Sequence, residues 1–329
     1  MKVLVVTNMY PTPEKPALGT FVKEQVDSLK KEGVDVDVFC VDGSKNKLGY
    51  LLGLFRFWAR LLHKRYDIIH AHYVFSGLIA RAQYLYPVVL THHGLEVFMT
   101  WQRFPSRVIT PLVDQVILVS EEQKRNLGCK NAEIIPCGIN LEFFKPVPKE
   151  EARRKLNLPL DKKLVLWVGN HLRPEKRFDI VEAAIALARA KDPSIELVLV
   201  DGQPHDVVPL YMNAGDAVLL VSDAEGSPMV IHEAMACNLP VVSVPVGDVP
   251  EVIRDTEGCY LCTQKPEDVA EKLTMALKYP GRTSGRERIQ YMEEGATARR
   301  IINLYQQVLR KRNRAVLKSM VPDNARKGL

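Results

Sequence analysis

The sequence predicts an α/β protein made of two doubly wound, parallel-sheet, Rossmann-like domains and a long C-terminal helix. Three observations predict it. Short β-branched runs alternate with amphipathic helical patterns along most of the chain. The runs are continuously apolar, as strands buried on both faces of a parallel sheet should be. The rhythm pauses once, at Pro136-Cys-Gly-Ile-Asn and the proline- and charge-rich stretch Phe144–Lys163, and then restarts. A length of 329 residues suits two domains of about 100–200 residues each. The expected division is 1–155 for the N-terminal domain and 156–329 for the C-terminal domain with its helix and basic tail.

In chain order, Val3–Val6 is the first strand and ends at Thr7-Asn8. The helix Phe21–Lys31 follows, then the strand Val34–Cys40 and the helix Leu51–Lys64. Asp67–Ala71, Val88–Thr91, Gln115–Val119 and Glu133–Ile135 are further strands, interleaved with helices Gly77–Leu85 and Glu121–Leu127. After the pause the strands are Leu164–Val168, Glu196–Val200, Ala217–Val221, Val241–Val244 and Cys259–Cys262. Their helices are Asp179–Ala190, Met229–Ala236 and Glu267–Leu277, and a long basic helix begins near Gly295.

Charge and composition exclude several classes. The net charge of +6 resides in residues 310–329, where Arg310, Lys311, Arg312, Arg314, Lys318, Arg326 and Lys327 face only Asp323. The rest is balanced, which argues against a nucleic-acid-binding domain. No apolar run is long enough for a secretory core or a membrane span, and the most apolar stretch, Tyr50–Leu62, is broken by Arg56 and Arg60. Six cysteines in a chain of this length suggest reduced thiols and a cytoplasmic protein rather than a disulfide scaffold. Cys259 and Cys262 have CxxC spacing without a second ligand pair, which favours a structural role.

The first βα turn, Thr7 to Gly19, lacks GxGxxG, and no GxxxxGK[ST] occurs, so neither a dinucleotide fingerprint nor a P-loop is present. Gly19-Thr20 opening a helix offers backbone N–H groups to a phosphate, or is simply a helix cap. The strongest local signal is Glu225-Gly-Ser-Pro-Met-Val-Ile-His-Glu233. Gly226 suits a tight turn, Ser227 an N-cap and Pro228 the first helical position. Glu233 has Met229, Val230, Ala236 and Cys237 at helical spacing. A carboxylate on such an apolar face needs a hydrogen-bonding partner, either a ligand hydroxyl or a protein group. His70 and His72 lie on one strand face without a clear third ligand, and Asp35-Val-Asp37 matches the D-x-D of metal-dependent transferases but sits inside a strand. A packing or cleft-lining role and a solvated strand face, respectively, are the favoured readings.

The spacing from Glu225 to Glu233, followed by Ala-Met-Ala-Cys-Asn-Leu-Pro-Val-Val and Gly247-Asp-Val-Pro-Glu, resembles the donor-site signature of family 4 retaining glycosyltransferases with the GT-B fold. Thr91-His-His93-Gly94-Leu-Glu96 is similar to the family's T-x-H-G-x-D. Ile135-Pro-Cys-Gly138-Ile-Asn140 with Phe144 is similar to its I-P-x-G-x-D…F, and Pro174-Glu-Lys176 to the P-E-K of its phosphate-binding loop. The resemblance covers roughly residues 1–310, and within the family the chain looks like the subgroup of cell-wall and capsular polysaccharide clusters, of teichuronic-acid type.

The resemblance implies a donor cleft between the domains and a role for each matching residue. Glu233 would hold the donor ribose. Glu225 would hold the transferred sugar with the N–H groups of Ser227, Met229 and Val230, in the donor loop that also contains Gly226 and Pro228. Lys176 would pair with the diphosphate, and Gly19 would approach it from the other domain. His93 would sit beside the anomeric carbon and the acceptor, with Gly94 and Glu96 on the acceptor side. His93, Lys176 and Glu225 are the expected catalytic set, with no metal and no cofactor. The chain departs from the family in three places. Gly169 is followed by Asn170-His171-Leu172-Arg173, where Arg directly after the glycine is usual, which makes Arg173 the candidate substitute. Glu96 stands where Asp is usual. The segment between Val200 and Asp216 is also short by about one αβ unit.

The expected activity is hexosyl transfer from a nucleoside-diphosphate sugar, UDP-linked by default, to a glycan or lipid-linked acceptor. A catalytically weak GT-B protein that binds a sugar nucleotide or a partner is the alternative, and a sugar-nucleotide epimerase is disfavoured by the glutamate context. Base, sugar, acceptor, linkage and oligomeric state are not readable. On a helix, Arg56, Arg60, His63 and Lys64 form a basic stripe opposite Leu51, Leu54, Phe55, Trp58, Leu61 and Leu62. Such a stripe is commonly the solvated face of a helix packed on the sheet; the alternative is that, together with the basic tail, it meets an anionic membrane surface and places the enzyme peripherally on the inner face of the cell membrane.

Overall fold

The computed structural model describes residues 1–13, 18–41, 48–98 and 100–320, without the side chains of residues 48, 50, 95, 100 and 315–320. The chain forms two compact units. One comprises Met1–Leu118, Lys124–Ile135 and the chain from Gly295 onward; the other comprises Val119–Gln123 and Pro136–Glu294.

The first unit contains β1 (Lys2–Thr7), α1 (Thr20–Lys31), β2 (Asp35–Cys40), α2 (Leu48–His63), β3 (Ile68–His72), α3 (Val74–Arg81), β4 (Val88–His92), α4 (Leu95–Phe98), α5 (Thr100–Ile109), β5 (Gln115–Leu118), the part of α6 (Glu121–Leu127) from Lys124 onward, and β6 (Glu133–Ile134); the start of α6, through Gln123, belongs to the second unit. Its parallel six-stranded sheet has the order β2-β1-β3-β4-β5-β6. Alternate residues of the continuously apolar strands feed two cores. Val3 and Val5 pack with Val22 and Val26 of α1 and with Ile301 and Tyr305 of the terminal helix. Leu4 and Val6 pack with Phe57 of α2, Ile79 of α3 and Ile109 of α5.

The second unit contains α7 (Lys149–Lys155), β7 (Lys163–Val168), α8 (Phe178–Lys191), β8 (Ile195–Val200), α9 (Val208–Ala214), β9 (Ala217–Leu220), α10 (Met229–Ala236), β10 (Val241–Ser243), α11 (Val249–Val252), β11 (Tyr260–Leu261), α12 (Pro266–Lys278) and α13 (Gly285–Arg288). The terminal helix α14 spans Glu294–Met320. The second sheet is parallel and five-stranded, in the order β11-β10-β9-β7-β8. Strand order reverses between β1 and β3 in one unit and between β7 and β9 in the other. The carboxyl ends of such strand pairs are where doubly wound sheets open a binding crevice.

The units divide the chain differently from the 155/156 boundary. Residues 136–155 belong with the second unit, and α14 from Gly295 belongs with the first. The stretch expected as a linker contains α7, whose buried Arg153 donates to the carbonyls of Ala214 and Lys162 at 2.9 Å each and to Asp216 at 2.6 Å. Polar composition there reflects one buried cation serving loop carbonyls rather than an open connection.

Helix α2 also departs from expectation. Leu54, Phe57 and Leu61 face the core, whereas Leu51, Phe55, Trp58 and Leu62 are exposed. Arg60 and Lys64 turn toward Asp37, at 3.2 and 3.1 Å. The basic stripe is therefore partly neutralised and the outward face is largely apolar. Among the tail cations, Arg310, Lys311, Arg312 and Arg314 lie on α14, while the side chain of Lys318 and residues Arg326 and Lys327 lie outside the described residues.

Candidate active site

In the second unit the loops after β7 and β9 meet at the switch point. Pro174–Lys176 forms a short 3-10 turn, and its Glu175 carbonyl accepts the N–H of Asp223 at 2.9 Å. This contact ties the two loops together and brings the Lys176 ammonium to 2.6 Å from Glu225. Both side chains are largely buried, at 17% and 15% exposure, so the pair is much less screened than a surface ion pair. Arg177, in a left-handed conformation with φ 52°, adds a second bridge to Asp223 at 3.3 Å.

Arg173 is not part of this pair. Its guanidinium is bonded to the adjacent Glu175 at 2.5 and 2.8 Å and is about half exposed. His171, in the same loop, is held by Asp201 at 2.5 Å.

Helix α10 spans Met229–Ala236 as expected, with Pro228 at the N-cap rather than at the first helical position and no side-chain cap bond. Ser227, expected to cap, instead donates its hydroxyl to Asp248 at 2.6 Å, and the same Asp248 oxygen lies 3.0 Å from Nε2 of His232. All three side chains are buried. A buried carboxylate is a stronger acceptor for a hydroxyl than a helix N–H is a donor to it, so the tertiary partner wins. The consequence is functional: the first-turn N–H groups of α10 have no side-chain cap, and the positive end of the helix is available to an anion beside Lys176.

The turn at Gly226 is braced from below by Gly247. Gly247 has φ 59°, and a Cβ there would sit 2.6 Å from the Gly226 carbonyl oxygen. Its N–H donates to Glu122 at 2.6 Å. Glu233 lies on α10 at 8% exposure. Sequence reasoning assigned no role to His232, Asp248 or Glu122. The first two lie inside the segments it quoted, and their burial was the missing signal.

In the first unit, His93 and Gly94 follow β4. Both oxygens of the buried Glu96 point at this turn, accepting the N–H of His93 at 2.7 Å and of Gly94 at 3.1 Å. The extra methylene relative to aspartate is thus used to pin the backbone that carries His93. The His93 ring has its Nε2 2.8 Å from Nδ1 of His72 and packs on Phe21 and Tyr73 with centroids 4.9 and 5.0 Å apart. His70 stands between the hydroxyls of Tyr305 at 2.5 Å and Thr91 at 2.7 Å. Both strand histidines are therefore engaged within the fold. Gly19, at the start of α1, has φ 69°, and a Cβ there would be 2.4 Å from the Met9 carbonyl oxygen. Only glycine fits this turn at the end of β1.

No group of three or more metal-ligating side chains occurs among the described residues. In the D-x-D segment Asp35 pairs with Lys2 at 3.2 Å. Burial would raise Asp37, but bonds from Tyr66 and Lys64, with Arg60 beside it, outweigh this and bring it down to about 2. Both carboxylates are already matched to cations. Burial pushes the Cys259 and Cys262 thiols up to about 11 and about 12, so neither is a thiolate at neutral pH.

Burial pushes the His72 imidazole down to about 3 and, with the neighbouring imidazoles, holds His70 and His93 well below 6.5. All three are neutral when folded, whereas the unfolded chain takes up these protons below 6.5. The unfolded state binds more protons as pH falls, so the stability these groups contribute is complete above 6.5 and is lost progressively below it. The melting temperature should fall as pH drops from about 7 to about 5, and His72→Asn should make that fall shallower. A melting temperature of the variant as steep in pH as that of the parent would show that His72 titrates normally.

Known proteins resemble the chain in sequence and in fold. Residues 18–143 match Glycosyltransferase Family 4, and residues 201–278 match Glycosyl transferases group 1. A Bacillus subtilis (strain 168) protein named as a teichuronic acid biosynthesis glycosyltransferase is 26% identical, over 83% of this chain and 88% of its own. Among solved structures, sucrose-phosphate synthase from Thermosynechococcus elongatus superposes with a TM-score of 0.78 at 22% identity, covering 94% of this chain and 100% of its own. An Anabaena protein, HepE, solved in complex with UDP, superposes with a TM-score of 0.70 at 16% identity, covering 93% and 100%. At these identities the structures speak for the fold.

Proposed function

We infer, for a chain that belongs to the GT-B glycosyltransferases with a family 4 N-terminal domain and a group 1 C-terminal domain, that it moves a hexosyl group with retention from a UDP-linked sugar to a glycan or lipid-linked acceptor of a surface polysaccharide. The observation that carries this reading is the largely buried Lys176–Glu225 pair at 2.6 Å beside the uncapped start of α10. A diphosphate competes with Glu225 for the Lys176 ammonium and lies against the helix N-terminus. Glu225 is then freed to accept from sugar hydroxyls. Solved neighbours bound to UDP and to UDP-glucose support the choice of donor, and the Bacillus relative supports the choice of pathway class.

In the reaction the bond from the anomeric carbon to the phosphate oxygen breaks, and its electron pair stays on the diphosphate. Lys176 and the first-turn N–H groups of α10 stabilise that charge. The acceptor hydroxyl adds to the same face of the anomeric carbon, and its proton passes to the departing phosphate oxygen. No side chain is required as a nucleophile. Neutral His93, held by His72 and the Glu96-pinned turn, offers a hydrogen bond to the transferred sugar rather than a positive charge.

Release of free sugar from UDP-sugar without acceptor is the expected partial reaction, and its absence with tight UDP binding would favour the alternative of a binding protein. That second reading is motivated by the engagement of Arg173 with Glu175. Glu233→Gln should weaken UDP binding by about 1–3 kcal/mol through loss of a charge-assisted bond to a ribose hydroxyl. Unchanged affinity in calorimetry would remove the ribose role. With Lys176 and the helix dipole supplying positive charge, transfer should persist in EDTA, and loss restored by Mn²⁺ would overturn that.

A further inference from the structure

We propose that Asp248 is a positioning residue of the donor loop: by taking the Ser227 hydroxyl it holds the start of α10 uncapped, and so sets the affinity for a diphosphate there. That the anion is a donor diphosphate rests on the functional reading above; the choice between a capped and an uncapped helix does not.

The observation is a pair of caps that are both forgone. Serine and aspartate are among the side chains that cap a helix best. Ser227 precedes Pro228 at the start of α10, and Asp248 is the N-cap residue of α11. Neither helix has a side-chain cap bond. The two side chains bind each other instead, the hydroxyl donating to Oδ2 of Asp248 at 2.6 Å. His232 of α10 brings its Nε2 to 3.0 Å from the same oxygen and 3.4 Å from the Ser227 hydroxyl. His232 is fully buried, and Asp248 and Ser227 are 4% and 9% exposed.

This arrangement works against stability. Oδ1 of Asp248 and Nδ1 of His232 are buried with no hydrogen-bond partner among the described residues, and two helix starts go without a cap. A local preference overridden twice in one place, with unpaired polar atoms left over, marks a site shaped for function. The segment that carries Asp248 also supports the loop before Ser227. A Cβ on Gly247 would lie 2.6 Å from the Gly226 carbonyl oxygen and 3.1 Å from that of Glu225. Gly247 and Asp248 therefore lie against Glu225, Gly226 and Ser227 in turn, and Glu225 is the partner of Lys176. Without the Asp248 carboxylate, Ser227 returns to the arrangement its sequence favours. It becomes the N-cap, Pro228 becomes the first helical residue, and the hydroxyl accepts a first-turn N–H. That N–H is then satisfied inside the protein and is lost to an anion.

The test is a double-mutant cycle on the full chain, read by calorimetry with UDP, inorganic pyrophosphate and uridine as probes. Asp248→Ala should weaken UDP and pyrophosphate by about tenfold and leave uridine within about twofold, because only the phosphate end meets the start of α10. Adding Ser227→Ala removes the hydroxyl that would cap. The double variant should then bind UDP as Ser227→Ala alone does, and tighter than Asp248→Ala. Asp248→Asn keeps a weaker, neutral acceptor and should show the same pattern at about threefold; it carries the cycle if the alanine variant does not fold. Equal losses for UDP and uridine would assign Asp248 to stability alone and overturn the proposal. So would a double variant that binds UDP no better than the Asp248 variant. A parent protein that binds pyrophosphate but not UDP would overturn the donor reading instead, and the cycle is then read on pyrophosphate.

Discussion

Lys176→Met is expected to lower sugar transfer by about 10²–10³-fold, mostly in kcat, because under the proposed function it removes a fixed charge that stabilises the leaving diphosphate. The ammonium is held at 2.6 Å from Glu225 in a site where it is only 17% exposed, so its field is weakly screened and its position costs no reorganisation during the reaction. Methionine keeps the length of the stem and removes the charge. The substitution also leaves Glu225 without its cation, which should weaken binding of the diphosphate further through repulsion. Restoring that balance separates the two effects: in Lys176→Met with Glu225→Gln, affinity for UDP should recover in part while turnover stays low. Single-turnover kinetics with UDP-sugar would read both. Turnover within a factor of about two of the parent would exclude a transition-state role.

The largest effect on stability is expected at Arg153, far from the chemistry. This guanidinium is 2% exposed and bonds five oxygens: the carbonyls of Ala214, Pro159, Leu160 and Lys162, and Asp216. Asp216 also accepts the N–H of Leu164 at the start of β7 at 2.6 Å. Arg153→Met should destabilise the second unit by about 3–5 kcal/mol, since it leaves a partly buried carboxylate and several carbonyls short of a donor. Urea unfolding followed by the fluorescence of Trp167, which lies in that unit, would read it. Arg153→Lys should recover only part of the loss, because one ammonium cannot present the planar fork that reaches five acceptors. A shift below about 1 kcal/mol would show the network to be dispensable.

Arg153 also illustrates what the chain conceals. Residues 144–163 look like a linker because proline and charge dominate, yet they hold α7 and a buried cation. Hydrophobic periodicity finds elements that bury apolar faces; it is blind to an element anchored by hydrogen bonds. It is equally blind to α5, where Pro105 interrupts the pattern and the outward residues are apolar. Helix α2 shows the converse error. Two faces of one helix each carry hydrophobic residues, and the period alone does not say which one meets the sheet; Phe57 settles it by filling the space beneath Phe39 at a centroid distance of 5.9 Å.

The strands, the two-sheet class and the Glu225–Glu233 segment were determined by the sequence itself, because continuous β-branched runs have few places to go except the middle of a parallel sheet, and because turn glycines and a proline at a helix start act locally. Only the tertiary structure decided the partners of the polar groups. Ser227 left its expected cap for Asp248, Glu96 turned both oxygens onto the backbone of His93 and Gly94, Arg173 folded back on Glu175, and Lys176 found Glu225 across 49 residues of chain. The physical reason is one of range. Hydrophobic burial is non-directional and is written in composition and period, whereas a hydrogen bond or ion pair depends on a few tenths of an ångström and on burial, which exist only once the sheets have brought distant loops together.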